Sequence, residues 1–249
     1  AELEARDCDV VEAHEVIECV TPPGGGRELP LTVSIRDQRN PSSSRSFTIT
    51  HETPRIDAVT PRELEVGGGG RFTLSGAALG PIGWVQVELD GVLLDGLRGG
   101  DNASTLVVDS PPGTGKGHAL TVVQRAAESP AASAAANEQR SATIVIDFAA
   151  PSIQRASLVD ERGNPSDGGT RLQIIGVGFG ADPTRGSVEV AVESGSVACD
   201  AEGAAWSNLI LICRLARPLL HGKVHAVVDG QPSNTYIWRS ARAKVHNAT

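Results

Sequence analysis

The stretch TRLQIIGVGFG at residues 170–180 is a second copy of the stretch GRFTLSGAALG at residues 70–80. Another phrase occurs as IECVTPPG at residues 17–24, as LVVDSPPG at residues 106–113 and, shortened, as LICRL at residues 211–215. The copies recur with a period of about 90 to 105 residues, which is too long for a solenoid repeat and matches the length of one β-sandwich. The chain is therefore a tandem array of one domain type.

Alternating apolar and polar residues predict short strands within each copy. The apolar members of these stretches are Val85, Val87 and Leu89; Val188, Val190 and Val192; Leu31, Val33 and Ile35; and Ile144, Ile146 and Phe148. Alternation of this kind buries one face of a strand and leaves the other in water, as in antiparallel sheets. Asp90-Gly91 supplies the positive-φ residues of a tight hairpin turn. The sequence therefore predicts an all-β fold.

Only one stretch favours a helix. The alanine-rich run at residues 131–139 has good helix propensity. It is shorter than the roughly 12 to 15 residues that an isolated helix needs, and it lies between two predicted strands. We predict an extended loop inserted in the middle copy.

The four cysteines fall into two pairs. Cys8 and Cys19 flank a turn near the N-terminus, and Cys199 and Cys213 flank another in the last copy. The middle copy has Val108 in the place of Cys19 and Cys213 and lacks both cysteines, as disulfide pairing predicts, because a lone thiol would stay reactive. Two disulfides predict an oxidising, extracytoplasmic compartment. The alternative, a zinc site, is disfavoured by the absence of any C-x-x-C spacing.

Composition limits the possible functions further. The 249 residues carry a net charge of −8, and the few basic residues are scattered, which disfavours binding to nucleic acid or to an anionic membrane. No apolar run approaches the roughly 18 residues of a membrane span. The sequence contains no methionine, so we expect it to be a segment of a longer polypeptide.

The order of the motifs resembles the IPT/TIG family. Pro-x-Ile occurs at residues 54–56 and again at 151–153, and the order continues with a Gly-Gly turn, a strand ending in Gly-x-x-Phe-Gly, a first cysteine, an I-x-C-x-x-P-P-G turn and a V-x-V-x-x-Q strand. In this chain Leu79 replaces the phenylalanine of the third element, and Arg217-Pro218 replaces Pro-Pro-Gly. The family comprises immunoglobulin-like domains of plexins, of some transcription factors, of accessory modules of polysaccharide enzymes, and of large ectodomains of ciliated and flagellated cells.

The resemblance implies tandem immunoglobulin-like β-sandwiches. It predicts the C-terminal half of a TIG domain at residues 1–51, a whole domain at 52–149, and another with a C-terminal extension at 150–249. These ranges are called here the N-terminal segment, the middle repeat and the last repeat. A half domain would leave strand edges unpaired. We therefore expect its missing strands to come from residues before Ala1 or from a neighbouring chain.

Several motifs imitate cofactor or metal sites. Residues 176–181 satisfy the G-x-G-x-x-A dinucleotide pattern, but the following residues predict a strand instead of the required helix. Residues 113–117 resemble a phosphate loop without its leading glycine and its final hydroxyl, which favours a turn. His221 and His225 lie on a predicted strand, where they would be about 13 Å apart and could not share an ion. We expect no cofactor, no metal and no catalytic residues.

One polar loop could bind a calcium ion. The loop with Asp160, Glu161, Asn164 and Asp167 is rich in oxygen ligands but fits no EF-hand spacing, so a solvated loop is favoured over a calcium site.

Two sequons, at Asn102 and Asn247, predict N-linked glycans. The three tryptophans are Trp84, Trp206 and Trp238, and we expect all of them to pack in cores.

Three classes of function remain. The resemblance favours a non-catalytic structural or adhesive segment of a secreted or cell-surface glycoprotein, forming a semi-rigid rod that contacts other chains or copies of itself. Its most specific form is a filament on the flagellar or ciliary surface, such as an algal mastigoneme, or a gamete-adhesion protein. The alternatives are a carbohydrate-associated accessory module or ligand-binding receptor ectodomain, which scarce aromatics disfavour, and a DNA-binding domain, which disulfides and negative charge disfavour.

Overall fold

The structure is a computed structural model that describes residues 4–35, 38–39, 47–99, 103–125, 137–193, 195–201 and 206–240. These residues form strands, turns and one short 3₁₀ helix at Pro183–Arg185, and no α-helix occurs within them. The all-β prediction is confirmed. No helix in this part of the chain is long and apolar enough to cross a membrane. The predicted loop at 131–139 lies mostly outside the described residues, and its last residue belongs to a strand.

The chain divides into two compact units, each assembled from separate stretches. Unit 1 comprises Ala1–Thr60, Phe72–Val108 and Ala119–Ile144, and unit 2 comprises Pro61–Arg71, Asp109–His118 and Val145–Thr249. The repeat borders at 51/52 and 149/150 stay predictions.

Six strands belong to the N-terminal segment in unit 1. They are β1 (Arg6–Glu12), β2 (Val16–Val20), β3 (Leu29–Pro30), β4 (Ser34–Ile35), β5 (Gln38–Arg39) and β6 (Thr48–Ile49). They form three separate antiparallel pairs, namely β1–β2, β3–β6 and β4–β5. The predicted strand through Leu31, Val33 and Ile35 is therefore mostly wrong, since only a two-residue strand forms at its end. Within the described part of the chain, its sheet contains only β4 and β5.

Ten strands belong to the middle repeat. They are β7 (Arg55–Thr60), β8 (Glu63–Leu64), β9 (Arg71–Ala77), β10 (Val85–Leu89), β11 (Val92–Leu93), β12 (Arg98–Gly99), β13 (Thr105–Asp109), β14 (His118–Gln124), β15 (Gln139–Arg140) and β16 (Ile144–Phe148). In unit 1, one sheet has the order β12-β13-β9-β7, and a second contains β11-β10-β14 with β15 beside β14. In unit 2, β8 pairs with β16 in parallel.

The predicted alternation is visible in β10. Val85, Val87 and Leu89 are buried, and Asp90 and Gly91 form the turn with φ of 52° and 79°. The prediction is wrong for Glu88, which was expected to face water and is only 8% exposed. An arginine from another strand covers it, as described below.

Eight strands form one sheet in unit 2. They are β17 (Ser152–Val159), β18 (Arg171–Val177), β19 (Gly186–Val192), β20 (Gly195–Ala201), β21 (Ile210–Leu215), β22 (His221–Val228), β23 (Gln231–Pro232) and β24 (Tyr236–Arg239). The order is β17-β18-β21-β20-β19-β22-β23, with β24 also on β22. β20 pairs with both β19 and β21 and so joins two layers. One core contains side chains from both layers, including Leu172 and Leu211 from one and Val190 and Val224 from the other.

The middle and last repeats share a β-bulge at the same place in their first strand pair. The register of β7 with β9 shifts between Ile56 and Ala58, and that of β17 with β18 shifts between Ile153 and Arg155. Opposite each shift lies a glycine. A Cβ at Gly76 would be 1.8 Å from the Arg55 carbonyl oxygen, and one at Gly176 would be 2.0 Å from that of Ser152. The close approach requires glycine at both positions.

Candidate functional site

Both predicted cysteine pairs are disulfide-bonded. The Cys8–Cys19 bond joins β1 to β2 with an S–S distance of 2.12 Å, and the Cys199–Cys213 bond joins β20 to β21 at 2.03 Å. All four cysteines of the chain are in these bonds, so the zinc alternative is wrong. Two disulfides are typical of proteins that fold in an oxidising, extracytoplasmic compartment.

The hairpin formed by β1 and β2, called here the N-terminal hairpin (Arg6–Val20), exposes its apolar side chains. The exposed fractions are 65% for Val10, 50% for Val11, 38% for Val16, 46% for Ile17 and 59% for Val20. Among the described residues before Glu52, only Gly24, Gly25 and Gly26 are buried. An apolar cluster that lacks a covering layer is typical of an interaction surface.

The same hairpin is strongly acidic. Six carboxylates accompany a single arginine, Arg6, between residues 4 and 20. The carboxylates are Glu4, Asp7, Asp9, Glu12, Glu15 and Glu18. The surface therefore combines apolar contact area with negative charge.

The equivalent hairpin of the last repeat, β20 and β21, has its outer edge covered. β18 pairs antiparallel with β21 over five residue pairs, from Arg171 with Arg214 to Ile175 with Ile210. Under this cover Leu211 and Cys213 are fully buried. The repeated phrase places Ile17 and Cys19 at the positions of these two residues. Equal positions in the repeat thus differ in burial, because one hairpin has a neighbouring strand.

A charge network in unit 1 was not predicted from the sequence. Arg140 donates to both Glu88 carboxylate oxygens, from Nη1 at 2.7 Å and from Nη2 at 3.3 Å. Glu138 accepts at 2.7 Å from Arg125 Nε and at 2.5 Å from Arg140 Nε. Arg125 also donates from Nη1 to Gln86 Oε1 at 2.8 Å. The partners lie on β10, on β15 and on either side of residues 126–136. Because they are far apart in the sequence, no local sequence pattern could indicate the network.

The network changes two pKa values. Burial raises the pKa of Glu138, but the hydrogen bonds from Arg125 and Arg140 outweigh burial and hold it below the ordinary glutamate value. The hydrogen bond to Glu88 raises the pKa of Arg140. Glu138 and Arg140 are therefore ionised at neutral pH and bind each other, which is the arrangement of a structural clamp.

Two glutamines attach the N-terminal segment to the middle repeat within unit 1. Gln139 Nε2 donates to the His51 carbonyl oxygen at 3.0 Å and to Thr53 Oγ1 at 3.1 Å. Gln124 packs against Gly25, where an added Cβ would lie 2.3 Å from the glutamine Cγ. No sequence pattern indicated this role of the two glutamines.

The motif that resembles a phosphate loop is a turn, as predicted. In unit 2 the Gly113 N–H donates to the Val66 carbonyl oxygen and the Gly117 N–H to Asp147 Oδ1. Strand β14 follows at once, so no helix N-terminus is available for a phosphate. Thr114 in this turn donates its hydroxyl to Asp229, whose carboxylate also lies 3.3 Å from Arg185 Nη1. The Thr114–Asp229–Arg185 contact was not foreseen.

The stretch at residues 176–181 that matches the dinucleotide pattern consists of the end of β18 and the loop after it. Phe179 inside it is fully buried, and the chain continues into the 3₁₀ helix and then β19. A pyrophosphate site would need an α-helix here.

His221 and His225 both lie on β22, as predicted. His225 Nε2 is 3.6 Å from Glu189 Oε2, and His221 is in register with Arg239 on β24. Within the residues that the structure describes, no group of three or more His, Cys, Asp or Glu side chains could hold a metal ion.

The loop at 160–167 uses its acids internally. Asp160 Oδ1 accepts from the Arg162 and Asn164 backbone N–H groups, each at 2.8 Å, and these bonds, that of Asn164 first, lower the pKa of Asp160. Glu161 lies 3.4 Å from Arg214 Nη2 and 3.6 Å from Arg171 Nη1. Hydrogen bonds and arginines therefore engage the carboxylates of Asp160 and Glu161, two of the four residues whose oxygens a calcium ion would need.

Two of the three tryptophans are in the core of unit 2. Trp238 is buried, and Trp206 is buried with its Nε1–H donated to the Phe179 carbonyl oxygen at 3.0 Å. Trp84 is only half-buried, so the core prediction holds for it in part. Asn102 and Asn247, the predicted glycan sites, lie outside the described residues.

Comparison with known proteins gave structural neighbours but no family. No family model matches the chain, and no curated protein does. Among solved structures, the full extracellular region of plexin A4 is 20% identical with a TM-score of 0.31, over 82% of this chain and 20% of plexin. SGBP-B from a complex xyloglucan utilization locus in Bacteroides uniformis is 14% identical with a TM-score of 0.28, over 76% of this chain and 49% of that one. The surface glycan-binding protein PbSGBP-B from Prevotella bryantii is 15% identical with a TM-score of 0.37, over 77% and 43%. The chain thus spans about a fifth of the plexin region and under half of the other two.

Proposed function

We propose that this chain is a non-catalytic structural or adhesive segment of a secreted or cell-surface glycoprotein, built from tandem immunoglobulin-like domains of the IPT/TIG type. The observation that carries the proposal is that different repeats share the same local structure. The middle and last repeats share the bulge opposite a required glycine, and the last repeat shares its disulfide-closed hairpin with the N-terminal segment. Arrays of one domain are typical of proteins that span distance and present surfaces.

The polar groups support this proposal over an enzymatic function. The acids and arginines of the charge network, Glu88, Arg125, Glu138 and Arg140, are bound to one another. A catalytic acid or base would need an oxygen or nitrogen open to substrate. In the finer form of the proposal, the segment contributes to an extracellular assembly such as a flagellar surface filament.

Force spectroscopy of the chain tests the mechanical function. Residues 52–149 and 150–249 should unfold as two separate events. The Cys199–Cys213 bond should shorten the length released by the second event by about 50 Å, because 14 residues stay closed at ~3.5 Å each. Addition of a reducing agent should restore that length. A single event, or no resistance to force, would contradict the proposal.

Calorimetric titration with xyloglucan oligosaccharides tests the competing function. We expect no heat of binding, since two of the three tryptophans are buried and cannot stack on sugars. Micromolar binding, or release of a product, would assign a carbohydrate function instead.

A further inference from the structure

The outer edge of β2, at Val16–Val20, is a strand edge without a neighbouring strand in the described chain. β2 pairs with β1 on one side only, and the two strands form a sheet of their own. All five residues of β2 are exposed. A free backbone edge beside exposed apolar side chains is the surface to which an extended segment adds.

The last repeat shows which segment fits such an edge. There β18 covers β21, and its Leu172 and Ile174 lie in register with Cys213 and Leu211. Since Cys19 and Ile17 hold the same places in the repeated phrase, a segment like β18 would put apolar side chains opposite both. β9, the copy of β18 in the middle repeat, lies next to β13 in the same way.

Charge favours the same type of segment. β18 and β9 each contain one arginine and no carboxylate. The N-terminal hairpin has five carboxylates and one arginine, and Glu4 just before it adds a sixth carboxylate. A β18-like strand therefore adds a positive charge to a negative surface, whereas an acidic strand would be repelled.

We propose that β2 is a strand-acceptor site for an extended segment of the β18 type, with apolar residues at alternate positions and basic or neutral residues between them. The segment pairs antiparallel with β2 and covers Ile17 and Cys19. The Cys8–Cys19 bond keeps the acceptor hairpin formed while the site is empty. The inference concerns recognition at one edge and does not depend on the mechanical function.

The test uses the whole chain and a labelled peptide of residues 169–177, which contains β18. Hydrogen exchange is the main measurement. Amide protection should rise at residues 16–20 when the peptide is added, and fluorescence anisotropy should give a saturable affinity. The matched control is the same peptide with alternate residues N-methylated, which keeps every side chain and removes backbone donors on one edge. This control should not bind.

Substitutions in the chain locate the site. Ile17→Asp should weaken peptide binding by at least about tenfold, because it removes one buried aliphatic side chain and adds a charge. Ile17 is exposed in the free chain, so the variant should keep the wild-type unfolding transition. Glu18→Lys should weaken binding less, through repulsion of the peptide arginine, and the effect should shrink in high salt.

Three results would overturn the proposal. The first is absence of saturable binding at millimolar peptide. The second is that the N-methylated peptide binds as tightly as the unmodified peptide, or that the Ile17→Asp variant binds the peptide as tightly as the wild-type chain. The third is protection at β21 in place of β2, which would mean that the peptide displaces β18 from the last repeat. Concentration-dependent dimers that are lost in Ile17→Asp would assign a second copy of the chain, and not a free β18-like strand, as the occupant.

Discussion

The N-terminal hairpin and the β20–β21 hairpin have similar sequences and opposite surroundings. Each has a disulfide between its strands and a copy of the same phrase on its second strand. Ile17 is 46% exposed in one, and Leu211 is 0% exposed at the same place in the other. The difference arises from β18, which covers β21 and has no counterpart beside β2 among the residues that the structure describes.

The comparison separates two sources of stability. A disulfide restricts the unfolded chain and needs no neighbours, whereas hydrophobic burial needs a second layer. The N-terminal hairpin has only the first source, and the β20–β21 hairpin has both. The hairpin phrase therefore specifies local pairing, and burial is determined by strands far away in the sequence.

The strongest test of the comparison is truncation of the equivalent apolar residues. Leu211→Ala should lower the free energy of unfolding of the last repeat by about 2–5 kcal/mol, because the cavity lies in a closed core. Ile17→Ala should change it by less than about 0.5 kcal/mol, as is usual for an exposed site. Chemical denaturation of both variants measures the difference. Equal effects would mean that the N-terminal hairpin is buried in solution.

Removal of each disulfide should separate the two sources of stability. The double variant Cys199→Ser, Cys213→Ser should lose about 3 kcal/mol and still fold, because the core remains. In Cys8→Ser, Cys19→Ser the amides of residues 6–20 should exchange like those of an unfolded peptide, while the main transition stays unchanged. Hydrogen exchange and thermal denaturation check both expectations. A protected hairpin without its disulfide would show that another layer supports it.

Features of the fold that depend on neighbouring residues could be predicted from the sequence. The β10 alternation and the Asp90-Gly91 turn follow from spacing within a few residues, and the pairing of the cysteines follows from their places beside a turn and from their joint loss in the middle copy. Features that depend on distant partners could not. The alternation of Leu31, Val33 and Ile35 resembles that of β22, but β22 forms a strand beside β19 and β24, and the described part of the N-terminal segment has no equivalent of either.

The candidate site follows the same rule. The acidity and the apolar residues of the N-terminal hairpin are visible in the sequence, but their exposure is not. Glu88 alternates like a surface residue and is buried only because Arg140, 52 positions away, covers it. Spacing within one strand contains no information about that contact.

A pH experiment compares a glutamate in a network with one on the hairpin. Because hydrogen bonds from two arginines hold the pKa of Glu138 below its unfolded value, folding is favoured above the unfolded pKa of about 4.3. That contribution is lost as pH falls through the lower folded pKa. Glu138→Gln should lower the free energy of unfolding at pH 7 by about 1 kcal/mol and flatten its decline below pH 4.5. Glu18→Gln, in the hairpin, is the matched control and should not alter the stability of the middle repeat. An unchanged acid decline in Glu138→Gln would contradict the assignment.

The smallest effect is expected in the middle repeat, which has the phrase without the cysteines. Its sequon at Asn102 lies in the sequence between β12 and β13, in the segment that precedes the phrase. The sequence predicts an exposed loop there, and a glycan on such a loop makes no core contact, so Asn102→Gln should remove the glycan mass and change the free energy of unfolding by less than about 0.5 kcal/mol. Intact-peptide mass spectrometry of protein from its native source measures occupancy at Asn102 and Asn247. The peptide with Asn164-Pro165-Ser166 is the internal negative control, since proline blocks the sequon. Unmodified Asn102 in that material would contradict the prediction, and a large loss of stability on Asn102→Gln would mean that the glycan or its loop takes part in the core.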